Sequence, residues 1–181
     1  MRLVLQIFAI LFILGACTEG ADKRIQQRED LLALEAQMLK KNELDTALAI
    51  EMIEAYQAYI QAYPKDSLAP QYQKKTAEMY RAFPGKSAEA IDHYERLFEN
   101  YTYTEEGAKG LLSLALYYEE LQLNDRAISA YTQFLTRFPS HPLASQAEQL
   151  RALLSDDKVT DIQMVQEWMK KAKKDTQNSE N

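Results

Sequence analysis

Three side chains in the 181-residue chain are of the types that most often carry chemistry at neutral pH: one cysteine, Cys17, and two histidines, His93 and His141. A single cysteine excludes an internal disulfide. The histidines stand without a His-x-x-x-His pair, a Cys cluster or a Glu-x-x-His motif, so the spacing predicts no metal site. His93 falls next to Tyr94 on an amphipathic stretch and His141 precedes Pro142 in a turn, which predicts surface or capping roles. A nucleophile needs a base and a group that orients the base, and no serine sits in a glycine elbow. Gly107 and Gly110 open a helical stretch and do not form a phosphate-cradling loop. The chain is therefore expected to have no catalytic residues, no cofactor and no metal.

Cys17 has a different setting. Arg2 precedes a run from Leu3 to Leu14 that is apolar except for Gln6. That run has the length of a signal segment and falls short of the roughly 20 residues that span a bilayer. It ends Leu14-Gly15-Ala16-Cys17, which resembles a bacterial lipobox. The resemblance implies cleavage after residue 16 and acylation of Cys17, with residues 17–22 as a short polar tether. Several acyl chains anchor stably where one does not, since each buried CH₂ contributes about 0.8 kcal/mol. Thr18, not Asp, follows the cysteine. By analogy with lipoproteins of enteric bacteria, this points to an outer membrane and its periplasmic face.

The remaining chain must supply the elements that this anchor would carry. Ala127, Ile128, Tyr131, Phe134, Leu135 and Phe138 lie along one stripe of a 3.6-residue helix, and Pro139 stops it. Asn124 or Asp125 is the expected N-cap. Ala90, Ile91, Tyr94, Leu97, Phe98 and Tyr101 repeat the stripe, displaced by 37 residues (127 − 90). Met52, Ile53, Tyr56, Tyr59, Ile60 and Tyr63 repeat it again, displaced by 38 (90 − 52), and Pro64 follows.

A helix–turn–helix unit of this period resembles the tetratricopeptide repeat. Residues 105–139 carry the resemblance through Leu111, Leu114, Ala115, Tyr118, Ala127, Tyr131 and Pro139. The second copy keeps Ala77, Tyr80, Ala90 and Tyr94 but has Thr102 for the proline. The first keeps Tyr56 and Pro64 but has Met52 for alanine, and its first helix aligns poorly. The resemblance implies an all-α fold, a right-handed solenoid of tetratricopeptide-like hairpins over 23–172. Its first helices would line a concave face. Gln71, Lys74, Glu78 and Arg81 would face the groove from one repeat, and Lys109, Leu112, Leu116 and Glu119 from the next. Leu112 and Leu116 stand where the family's carboxylate clamp needs Lys and Asn, so a partner other than a chaperone tail is implied.

Residues 23–41 read as a charged helix whose Ile25, Leu31, Leu32, Leu34, Met38 and Leu39 are expected to face the next helix, and Asp45 is the next expected cap. Helices are further expected over 143–154 and 160–173, with a disordered tail over 173–181. Lys170, Lys171, Lys173 and Lys174 suit either anionic headgroups or a solvated helix end. The 11 tyrosines fall mostly on the repeated stripes, which favours packing over ligand stacking. The net charge of −6 offers no basic field, so no nucleic acid partner is expected. Lipobox, tether and aromatic-rich repeats are similar to the tetratricopeptide lipoproteins of the outer-membrane β-barrel assembly machinery and the related periplasmic coordinators. The resemblance implies a membrane-anchored adaptor that binds a cell-envelope protein. The alternative is an accessory subunit of a periplasmic cell-wall enzyme.

Overall fold

The computed structural model describes residues 22–41 and 45–156. Cys17, the apolar segment before it, the helix expected over 160–173 and the tail beyond it lie outside the described residues. The described residues form α-helices joined by short turns, with no strand among them. In chain order these are α1 (residues 22–39), α2 (Thr46–Ala62), α3 (Ala69–Ala82), α4 (Ser87–Asn100), α5 (Glu105–Glu120), α6 (Asn124–Arg137) and α7 (residues 144–156). The all-α expectation holds. The chain divides into two compact units, Met1–His93 and Tyr94–Asn181, with the division inside α4.

The repeated stripes form the cores. Met52, Ala90 and Ala127 are buried, as are Tyr56, Tyr94 and Tyr131 four residues later and Tyr59, Leu97 and Phe134 three residues after that. The other stripe positions are buried less uniformly: Ile53 and Phe98 are buried, while Ile60, Tyr63, Leu135 and Phe138 are half-buried. Equal depth at equivalent positions is what a repeated packing arrangement requires.

In the first unit α2 and α3 pair through tyrosines. The Tyr72 ring stacks on Tyr56 at 5.0 Å and meets Tyr59 edge-on at 4.9 Å. Leu31 of α1 completes this core, with Leu34 and Met38 packed against it. Glu35 of α1 accepts hydrogen bonds from the Tyr56 hydroxyl at 2.7 Å and from Lys75 Nζ at 2.6 Å. Arg24 reaches Asp66 in the α2–α3 turn at 3.3 Å. Only one side of α1 is used: Ile25, Leu32 and Leu39 are exposed, contrary to expectation. They lie about 135° around the helix from Leu31, Leu34 and Met38, so α1 carries two apolar stripes and packs with one.

Asp45 caps α2 as its position predicts, accepting from the Leu48 N–H at 3.1 Å. The expected cap on α6 does not form. That helix starts at Asn124 behind Leu123, with no side-chain cap. The preceding turn has fixed the register. The Gln122 N–H bonds the Glu119 carbonyl and the Leu123 N–H bonds the Tyr118 carbonyl, both at 2.8 Å, which is a Schellman closure of α5. Gln122 sits at φ 58°, where glycine is usual. Gln122→Gly is expected to raise stability by up to about 1 kcal/mol, read as a higher urea midpoint with an unchanged slope.

Burial also governs the tyrosines. Tyr117 and Tyr118 are buried and Tyr101 is half-buried, whereas Tyr103 in the α4–α5 turn is fully exposed. Burial, with the Asp66 carboxylate adding to it, pushes the Tyr59 hydroxyl up to about 12. Burial raises Tyr56, Tyr72, Tyr101, Tyr118 and Tyr131 as well. A raised value in the folded state means that the fold holds these protons more tightly than the unfolded chain. Their contribution is complete below the unfolded tyrosine value near 10 and falls as pH rises through the folded values. Urea midpoints should therefore drop above about pH 10, while tyrosinate absorbance from the buried tyrosines should rise only at higher pH or as the protein unfolds.

Candidate partner-binding surfaces

In the first unit, α3 buries Tyr72, Gln73, Thr76 and Ala77, which leaves the opposite side to solvent. Gln71, Glu78 and Arg81 are exposed there and Lys74 is half-buried, so the four residues expected to meet a partner do share one helix face. Lys74 pairs with Glu78 at 3.4 Å. Beside them lies a cleft of about 280 Å³ whose lining includes Met38, Met52, Met79 and Phe83 together with Lys75 and Glu78. Methionine is unbranched and adapts to the shape of an inserted side chain. The cleft was not read from the sequence. Met38 and Met79 lie on different helices, and only the packing of α1 against α2 and α3 brings them to one wall.

In the second unit, α5 presents Lys109, Leu116 and Glu119 along one side. Lys109 pairs with Glu105 at 3.2 Å and holds the Glu105 carboxyl below its ordinary range, with His141 adding to the effect. Glu119 accepts a hydrogen bond from the buried Tyr131 hydroxyl, so its carboxylate is held by α6. Leu116 is 39% exposed. Leu112 is buried, a correction to its expected place on an open surface. The cause is the composition of α5, which buries Leu111, Leu112, Leu114, Ala115, Tyr117 and Tyr118 on more than one side.

The same unit has a cleft of about 230 Å³ with a mixed lining, in which Phe98, Leu111 and Leu114 meet Glu95, Tyr118 and Arg126. Tyr118 donates to Glu95 at 3.2 Å, and the Arg126 guanidinium lies 5.8 Å from the Tyr118 ring centre.

His93 is buried, not at the surface. Gln73 Nε2 donates to the His93 carbonyl at 3.0 Å and approaches Nδ1 at 2.8 Å, Gln57 approaches Nε2 at 3.1 Å, and the Tyr80 ring stacks at 5.2 Å. A hydrogen-bonded imidazole in such a setting fixes packing between α2, α3 and α4. His141 does act as a cap. Its Nδ1 accepts from the Leu143 N–H at 3.1 Å, which leaves Nε2 as the protonated nitrogen, 3.4 Å from Glu105. Among the described residues no three His, Cys, Asp or Glu side chains cluster as metal ligands, and no helix is long and apolar enough to cross a membrane.

The arrangement offers exposed charged helix faces and an adaptable apolar cleft beside one of them, which suits recognition of a polypeptide segment. No curated protein matches the chain. The family model described as a tetratricopeptide repeat matches residues 110–141, from Gly110 in α5 through α6 to His141. Over these residues the chain is similar to a tetratricopeptide repeat, a helical-hairpin unit of a kind that binds protein partners.

Proposed function

We propose that the protein is a non-enzymatic adaptor of a bacterial cell envelope, anchored by acyl chains on Cys17 and binding a segment of an envelope protein on its exposed helix faces. The observation that carries the binding reading is the charged face of α3 set beside the methionine-lined cleft. A partner segment would place an apolar side chain in the cleft and acidic groups against Lys74 and Arg81. Lys109, Leu116 and Glu119 form a second contact face. The anchor reading rests on Leu14-Gly15-Ala16-Cys17, and Thr18 after the cysteine favours an outer membrane facing the periplasm. Assembly of outer-membrane proteins is the process that this reading favours.

The test is a pull-down of the acylated protein from detergent-solubilised envelopes, with Cys17→Ala as control and mass spectrometry of the retained proteins. Recovery of barrel-assembly components or unfolded barrel clients is the expected result. Recovery of a wall hydrolase or synthase would instead favour an accessory subunit of that enzyme.

Reversal of charge at Lys74 is a sharper probe. Its ion pair with Glu78 is an i,i+4 surface pair, so losing it costs only about 0.5 kcal/mol of stability. Lys74→Glu is expected to weaken partner retention severalfold while the urea midpoint stays nearly unchanged. Full retention would count against the α3 face.

A further inference from the structure

The face of α1 that the fold leaves open has a definite pattern. Ile25, Leu32 and Leu39 are 50%, 61% and 86% exposed, and they recur every seven residues along the helix. Ala36 falls within the same stripe and is also exposed. Arg28 and Lys40 lie to either side of it. Residues 22–41 carry five basic and four acidic side chains, in a chain whose net charge is −6. One of the four, Glu35, is turned inward to Tyr56 and Lys75. The stripe is thus an apolar line on a segment more basic than the rest of the protein.

We propose that α1 lies along the lipid surface through Ile25, Leu32 and Leu39, so that the anchored protein is held by this helix as well as by its acyl chains. The inference rests on the Cys17 anchor reading. Two considerations select a lipid surface over a second copy of the chain. Thr18 to Ala21 separate the proposed anchor from the start of α1, and four residues extend no further than about 14 Å. The helix is consequently kept at the bilayer at high local concentration. Three side chains also expose far less than the roughly 800 Å² per partner of a stable protein interface. A short stripe of this kind is sufficient for interfacial seating once a covalent anchor is present. Arg28 and Lys40 would then sit at headgroup level, where basic side chains are attracted to anionic lipid. The consequence is orientation: the anchor alone permits the protein to swivel, and a seated α1 restricts which faces point away from the membrane.

The test uses the full acylated protein in phosphatidylethanolamine–phosphatidylglycerol vesicles. Cys17, its thiol blocked by acylation, leaves an introduced cysteine as the sole site for a fluorophore. Leu32→Cys and Leu39→Cys place it on the stripe, and Gln37→Cys places it on another exposed side of the same helix. Lipid-borne quenchers are expected to quench the label at 32 and 39 severalfold more than at 37. Equal quenching at all three positions, in protein that floats with the vesicles, overturns the inference and leaves the anchor reading standing. Protein that lacks acyl mass and does not float overturns both. A label at 32 that is shielded in detergent with a doubled molecular mass assigns the stripe to a second copy and overturns the inference.

Discussion

Gly107→Ala is expected to destabilise the second unit by about 2–4 kcal/mol. A Cβ at this position would stand 2.0 Å from the Tyr101 carbonyl oxygen and 2.7 Å from its carbon. The obstruction is backbone, which cannot rotate aside as a side-chain tip can. Moving it also undoes the start of α5. The Tyr101 carbonyl accepts from the Thr104 N–H at 2.9 Å and from the Thr104 hydroxyl at 2.7 Å, and the same hydroxyl accepts from the Gly107 N–H at 3.0 Å. Overpacking and loss of the cap therefore add. Gly110→Ala is the informative comparison. There the Cβ would meet the buried Leu97 side chain, Cδ2 at 2.5 Å and Cγ at 2.8 Å, and not backbone. The second change should cost clearly less, as read by urea midpoints of the two variants. Equal costs would show that the α4–α5 turn is softer than its hydrogen bonds imply.

Phe134→Ala should be as damaging, at about 3–5 kcal/mol. Phe134 is wholly buried, 5.5 Å from the Phe138 ring and 5.3 Å from the His141 ring, which meets it edge-on. Truncation leaves a cavity and removes the wall that holds His141 over the Leu143 N–H. The turn into α7 would loosen with the core. Phe138→Ala, at a half-buried position, should cost less. If Phe134→Ala and Phe138→Ala shift the midpoint equally, the depth assigned to the repeated stripe is wrong.

The repeated stripes were legible because their pattern is redundant. Tyr56, Tyr94 and Tyr131 occupy one position in three stretches, and all three are buried. The candidate surfaces were legible only where a helix has one apolar side. On α3 the outward line Gln71, Lys74, Glu78 and Arg81 is what remains once Tyr72, Thr76 and Ala77 turn inward. On α5 apolar residues surround most of the helix, so periodicity gives no phase, and Leu112 went to the core. On α1 two apolar stripes compete, and the sequence has no means of saying that Leu31 finds a partner within the unit and Leu32 does not. His93 shows a further limit. Its burial depends on Gln73, twenty positions away, and on Gln57, and amide donors of that kind leave no periodic signal. Gln122 in the left-handed region was equally invisible, because glycine is the residue that advertises such a turn.

The central claim is that the exposed face of α3 and the cleft beside it bind a protein segment. The most direct measurement is the affinity of the partner recovered from envelopes for the intact protein, for Lys74→Glu, and for Met79→Glu, which puts a charge into the cleft. Circular dichroism and urea midpoints on the same samples separate lost binding from lost fold. The account predicts that each change weakens binding at least severalfold while the fold is retained. Unchanged affinity in both variants, with the fold intact, would contradict it.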